Sequence, residues 1–224
     1  MSFFKEILQL WHSEDLLAQA WEESHKMLSL SHNMFIEAVK HLRDSRNIDA
    51  LMALKKRDWE INQFQKEVRR KVLTHYSLSE DTSNLANGLI LINMVVDIER
   101  LGDYTKNIVD LTLNHPESIV TEEISEDLHL IETAVTNRFA KTVQAIEKQD
   151  SDIARALKAS YKYEISKMSD NIVNRIISGQ LTFGSESRSA TVALYARYLK
   201  RIGSHLNNIA TVLVNPFDTI GYAQ

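Results

Sequence analysis

The sequence predicts an all-α protein: two pseudo-symmetric three-helix bundles with a short extra helix at the N-terminus. Three observations predict it. Only 6 Gly and 2 Pro interrupt 224 residues, so breakers are too sparse for a fold rich in tight turns. Within the uninterrupted stretches, apolar residues recur at helical spacing. An eleven-residue phrase also occurs twice, from Asp97 to Asn107 and from Tyr198 to Asn208. Arg100, Gly102 and Asn107 stand over Arg201, Gly203 and Asn208 at one offset (201 − 100 = 101).

The elements follow in order. Phe3, Phe4, Ile7, Leu8, Leu10 and Trp11 predict a short amphipathic helix near 3–11 that packs on the body. Its polar face offers Lys5 as the sole cation, too little for a membrane-surface anchor, and Lys5, Glu6 and Gln9 break any signal-peptide core. Ser13 ahead of Glu14-Asp15 opens a helix near 14–44, with Leu28, Phe35, Val39 and Leu42 on its apolar face. Asn47 opens the next, near 48–74, with Leu51, Leu54, Ile61, Phe64, Val68 and Val72. A third near 83–114 carries Val95, Ile98, Leu101, Ile108 and Leu111 and stops at Asn114-His115-Pro116. Ser125 ahead of Glu126-Asp127 marks the start of a helix near 122–148. Helices near 151–178, ended by Ser178-Gly179, and near 186–214 complete the set.

These six long helices form two sets of three. The stretch Ile48 to Lys55 resembles Ser151 to Lys158 (152 − 49 = 103), and Phe35 and Val39 stand over Phe139 and Val143 (139 − 35 = 104). Small drifts in offset are what diverged copies with altered loops produce. Residues 1–118 and 119–224 are therefore read as one unit each, divided near 115–121 and stacked into a single body.

Composition narrows the function. With 0 Cys there is no disulfide, thiolate zinc site or cysteine nucleophile. A formal charge of −4 gives no general attraction to nucleic acid, and Arg69-Arg70-Lys71 beside Glu67 reads as a solvated helix face. The most apolar run, Leu89 to Val96, is broken by Asn93 and falls short of the ~20 residues a bilayer requires. No Gly-rich phosphate loop, nucleophile elbow or His-Glu-x-x-His zinc site occurs, so the chain is read as a non-enzyme.

The chemistry concentrates at Glu99 and Asp103. Four residues apart on a helix, they project from one face, where like charges repel by a few tenths of a kcal/mol and a cation would reverse the penalty. Arg100 lies about 100° around the helix and need not neutralise them. In the second copy Lys200 and Ser204 replace the two acids.

Ile98-Glu99-Arg100-Leu101-Gly102-Asp103 followed by Asn107-Ile108 resembles the signature of the PhoU family of phosphate-signalling proteins. Leu199-Lys200-Arg201-Ile202-Gly203-Ser204-His205 followed by Asn208-Ile209 is similar to it outside the acids, and Asp58 with Glu60 falls where the family's second helix is acidic. The resemblance implies two pseudo-equivalent three-helix bundles. It also implies a metal-binding adaptor, a cytoplasmic homodimer at the inner face of the membrane, between a phosphate-specific ABC transporter and a membrane histidine kinase. Carried over, it makes Glu99 and Asp103 ligands for iron or zinc and leaves the second copy without a matching site. Another phosphate transporter as the regulated partner is an alternative. A different class is offered by Glu22-x-x-His25 and Glu126-x-x-His129, two motifs of the ferritin-like di-iron recipe in repeat register (126 − 22 = 104).

Overall fold

The computed structural model describes residues 16–43, 47–78, 83, 85–115 and 118–221, and the helix expected near 3–11 lies outside them. The described helices are α1 (Leu16–Arg43), α2 (Ile48–Lys56), α3 (Asp58–Leu78), α4 (Leu85–Asn114), α5 (Glu122–Lys148), α6 (Ser151–Tyr161), α7 (Lys167–Ile177) and α8 (Glu186–Thr211). Among the described residues there is no strand. Helix α1 packs on α3 and α4 to make the first bundle; α5, α6 and α7 pack around α8 to make the second. The bundles meet chiefly where α4 lies against α8 and, less extensively, where α1 meets α5.

The second helix of each repeat is interrupted rather than continuous. A turn at Arg57 separates α2 from α3, and a π turn, Lys162–Ser166, joins α6 to α7. Leu54 stands over Leu157 (157 − 54 = 103), whereas the core residue Ile61 stands over Ile165 (165 − 61 = 104). The extra residue is taken up at the π turn, whose wider hydrogen-bonded ring accommodates it. Caps fix the boundaries. Asn47 accepts from the Ala50 amide at 3.1 Å, Asp150 from the amides of Asp152 and Ile153, and Ser185 from that of Arg188. Ser125 is not a cap: it lies inside α5, and Thr121 holds the N-cap position.

The repeat extends to the core. Buried Ser24, Met27, Leu28, Ser31, Met34 and Phe35 of α1 correspond at an offset of 104 to buried Leu128, Ile131, Glu132, Val135, Arg138 and Phe139 of α5 (139 − 35 = 104). Two of these positions turn from apolar to charged in the second repeat. Glu132 accepts from Arg43 Nε at 2.6 Å and from the Tyr195 hydroxyl at 2.7 Å, tying α1, α5 and α8 together across the repeats. Burial pushes the Glu132 carboxyl above its ordinary range, although both partners pull it down.

Between α4 and α8 the contacts are themselves paired. Asp97 Oδ1 lies 2.7 Å from His205 Nδ1 and accepts from Asn208 Nδ2 at 3.0 Å. The equivalent pair, Tyr198 and Tyr104 (198 − 97 = 101; 205 − 104 = 101), places its rings 5.9 Å apart. Residue i touches j and its repeat mate touches that of j, which is the pattern of a two-fold contact. Both repeat glycines have the packing role expected of a helix-interior glycine. A Cβ on Gly102 would come within 2.8 Å of Ile61 Cδ1, and one on Gly203 within 3.0 Å of Ile165.

Candidate functional site

The close approach of α3 to Gly102 brings Asp58, the first residue of α3, beside the Glu99–Asp103 face of α4; its Oδ1 would lie 3.7 Å from a Cβ on Gly102. The two acids flagged by their spacing are thus joined by a third from another helix. Lys106, one turn beyond Asp103, reaches back between them. Its ammonium lies 3.1 Å from Asp58 Oδ2 and 3.4 Å from Asp103 Oδ1. Burial works against that charge, but the hydrogen bond and charge of Asp58, with those of Asp103, win and raise the Lys106 pKa.

Arg100, whose angle on the helix left its engagement open, does reach the pair. Its Nη1 donates to Asp103 Oδ2 at 2.9 Å and its Nε lies 3.6 Å from Glu99 Oε2, because a long guanidinium stem folds along the helix to its i+3 neighbour. Glu99 remains the least compensated of the acids. Burial, then the charges of Asp103 and Asp58, raise its pKa against the opposing pull of Arg100 and Lys106. Asp58 Oδ1 is buried without a hydrogen-bond partner. Asp110, further along the same stripe, is engaged by Lys55 at 2.6 Å.

Carboxylate oxygens are donors that zinc and iron accept, and the orphaned Asp58 Oδ1 shows spare acceptor capacity. The donor chemistry of Asp58, Glu99 and Asp103 therefore fits a cation, but Lys106 fills that role in this arrangement. Among the described residues, no three His, Asp or Glu groups are already disposed as metal ligands.

The second repeat answers the same positions differently. Lys200, in the place of Glu99, donates to both oxygens of Asp170 at 2.7 and 2.6 Å, and Arg197 reaches the same carboxylate at 3.1 Å. Ser204 takes the place of Asp103, and Tyr161, which stands over Asp58 (161 − 58 = 103), donates its hydroxyl to the Lys200 carbonyl at 3.4 Å. The replaced acids thus leave a closed ion pair and two uncharged hydroxyl side chains.

The di-iron arrangement is not formed. Glu22, Glu126 and His129 are exposed on their helices, and among the described residues no metal-ligating group of three gathers around them. Sequence reasoning missed Lys106 and named Asp58 only as an acidic position. The i,i+3 spacing from Asp103 to Lys106 was the available signal for the first; for the second, only the tertiary approach at Gly102 identifies the partner.

Comparison with known proteins agrees with this architecture. The crystal structure of the phosphate transport system regulatory protein PhoU from Streptococcus pneumoniae superposes with a TM-score of 0.73 at 18% identity, over 88% of this chain and 93% of that one. PhoU from Pseudomonas aeruginosa gives 0.69 at 18% identity, over 94% and 95%. No curated protein matches the sequence. The PhoU domain family matches residues 25–112 and 128–213, one stretch in each three-helix repeat. With both repeats matched, and the Gly102 and Gly203 phrases inside them, the chain belongs to the PhoU domain family.

Proposed function

We propose that this protein regulates phosphate transport and phosphate-starvation signalling as a non-enzymatic adaptor between a phosphate-specific ABC transporter and a membrane histidine kinase. The observation that carries the reading is the family match across both repeats. The fold shared with the regulatory protein from Streptococcus pneumoniae supports it, as does an acidic face on α4 that is absent from α8. No described helix is long and apolar enough to cross a membrane, so engagement of a membrane complex falls to such surfaces. The protein acts in the cytoplasm, at the inner face of the membrane, as a homodimer.

Within this reading, Glu99 and Asp103, with Asp58, hold iron or zinc when Lys106 gives up its place. The spare acceptor on Asp58 and the raised pKa of Glu99 favour that exchange. The metal would supply positive charge at the adaptor face. Affinity capture of the tagged full chain from cross-linked, phosphate-replete cells tests the adaptor role. Recovery of a phosphate-transporter subunit or a sensor kinase is expected, and recovery of neither counts against the role. Metal analysis of purified protein tests the site: bound iron or zinc should disappear in the Glu99→Ala/Asp103→Ala variant, and metal retained there removes these residues from the proposal.

A further inference from the structure

The second repeat contains a feature that the first does not need. Arg138 of α5 is 2% exposed and occupies the place of Met34 in α1 (138 − 34 = 104), which is buried at 1%. The fold thus accommodates an apolar side chain here, and the arginine is not a requirement of the bundle. A guanidinium stays charged even when buried, so its desolvation calls for a strong counter-ion. What it has is modest. Nη1 donates to the Leu157 carbonyl at 2.8 Å and Nη2 to Ser160 Oγ at 2.8 Å; the ring of Tyr161 lies 5.4 Å away. The nearest carboxylate, Glu164, stands 3.5 Å off with its side chain 53% exposed, and Nε is buried without a partner.

Arg138 is one of the residues around a half-open cavity of about 570 Å³ between α5 and the interrupted second helix of the repeat. Ala134, Ile153 and Met168 supply apolar wall, Lys141 adds a second cation, and Glu164 comes from the π turn. Volumes of this order suit small organic ligands, and apolar walls with a few convergent polar groups are the usual composition of such sites. We propose that the cavity binds a small organic anion, a carboxylate or phosphate monoester on an apolar body. Its charged end takes the place of the Glu164 carboxylate at Arg138, and its body lies against Ile153 and Met168. The site lies in the second repeat, apart from the Glu99–Asp103 cluster, and does not depend on the adaptor reading.

Calorimetric titration of the full chain with phenyl phosphate, phenylacetate and inorganic phosphate tests this. At least one of the two organic anions should bind. Arg138→Met, which installs the residue of the first repeat, should weaken binding at least about tenfold, as loss of a charge-assisted hydrogen bond implies. Glu164→Gln, on the exposed rim, should tighten it several-fold by removing the internal competitor. This second variant decides the matter even where Arg138→Met perturbs folding. Three results overturn the proposal: no binding of either organic anion, equal affinity in folded Arg138→Met, or affinity unchanged or weakened in Glu164→Gln. Inorganic phosphate binding as tightly as phenyl phosphate would also contradict it, since the apolar wall would then contribute nothing.

Discussion

Glu99 carries an electrostatic cost that Arg100 and Lys106 only partly offset, because burial and two neighbouring carboxylates oppose its charge. A carboxyl whose pKa is higher in the folded than in the unfolded chain binds more protons when folded. Its penalty is absent below the unfolded pKa and grows as pH rises through the folded one. Glu99→Gln should therefore raise the stability of the metal-free protein at neutral pH by about 0.3–1 kcal/mol, with the gain shrinking as pH falls through the carboxylate range. Urea unfolding at neutral and acidic pH measures this; a variant less stable than wild type at neutral pH would show that Arg100 and Lys106 outweigh the repulsion. The pair Glu99 and Asp103 was legible in the sequence because helical spacing alone places it on one face. Its surroundings were not. Asp58 arrives from another helix through a close approach at Gly102, and the answering reach of Lys106 depends on that arrival.

At the level of elements, the helix-interior glycines set how closely the second and third helices of each repeat approach. Gly102→Val adds three carbons where Ile61 Cδ1 already lies 2.8 Å from the position of a Cβ, and Ile61 is fully buried. Overpacking should cost about 1–3 kcal/mol, seen as a lower midpoint in thermal or urea unfolding. An unchanged midpoint would mean that α3 moves away from α4 freely. Long helices and their order were readable from the 3.6-residue pattern and sparse breakers, and all six predicted long segments contain helix. The interruptions were not readable. Arg57 and the π turn carry no Gly or Pro, and the apolar pattern of Leu51, Leu54, Ile61 and Val68 runs on across the first break. The one-residue change in repeat offset was the trace available, and it became interpretable only with Ile61 and Ile165 seen in equivalent packing.

Over the whole molecule, the two repeats are joined by polar groups that the repeat pattern does not predict. Glu132 replaces Leu28 and Tyr195 replaces Met94 (195 − 94 = 101), and together with Arg43 they form a buried link among α1, α5 and α8. Tyr195→Phe leaves one Glu132 oxygen short of a donor and should cost about 1–3 kcal/mol at neutral pH. Since burial already holds the Glu132 carboxyl above its ordinary range, protonation relieves that loss, and the penalty should diminish on acidification. Paired unfolding curves at two pH values check both parts. A penalty that does not vary with pH would remove Glu132 ionisation from the explanation. The sequence showed that two copies exist; it could not show that their shared interface pairs Asp97 with His205 on one side and Tyr198 with Tyr104 on the other, because that depends on how α4 crosses α8.

The central functional claim, regulation of phosphate transport, is tested most directly by phosphate uptake in phosphate-replete cells that lack this chain. Uptake should change on its removal and return to the original rate when the wild-type chain is restored. An uptake rate indifferent to both removal and restoration would contradict the account.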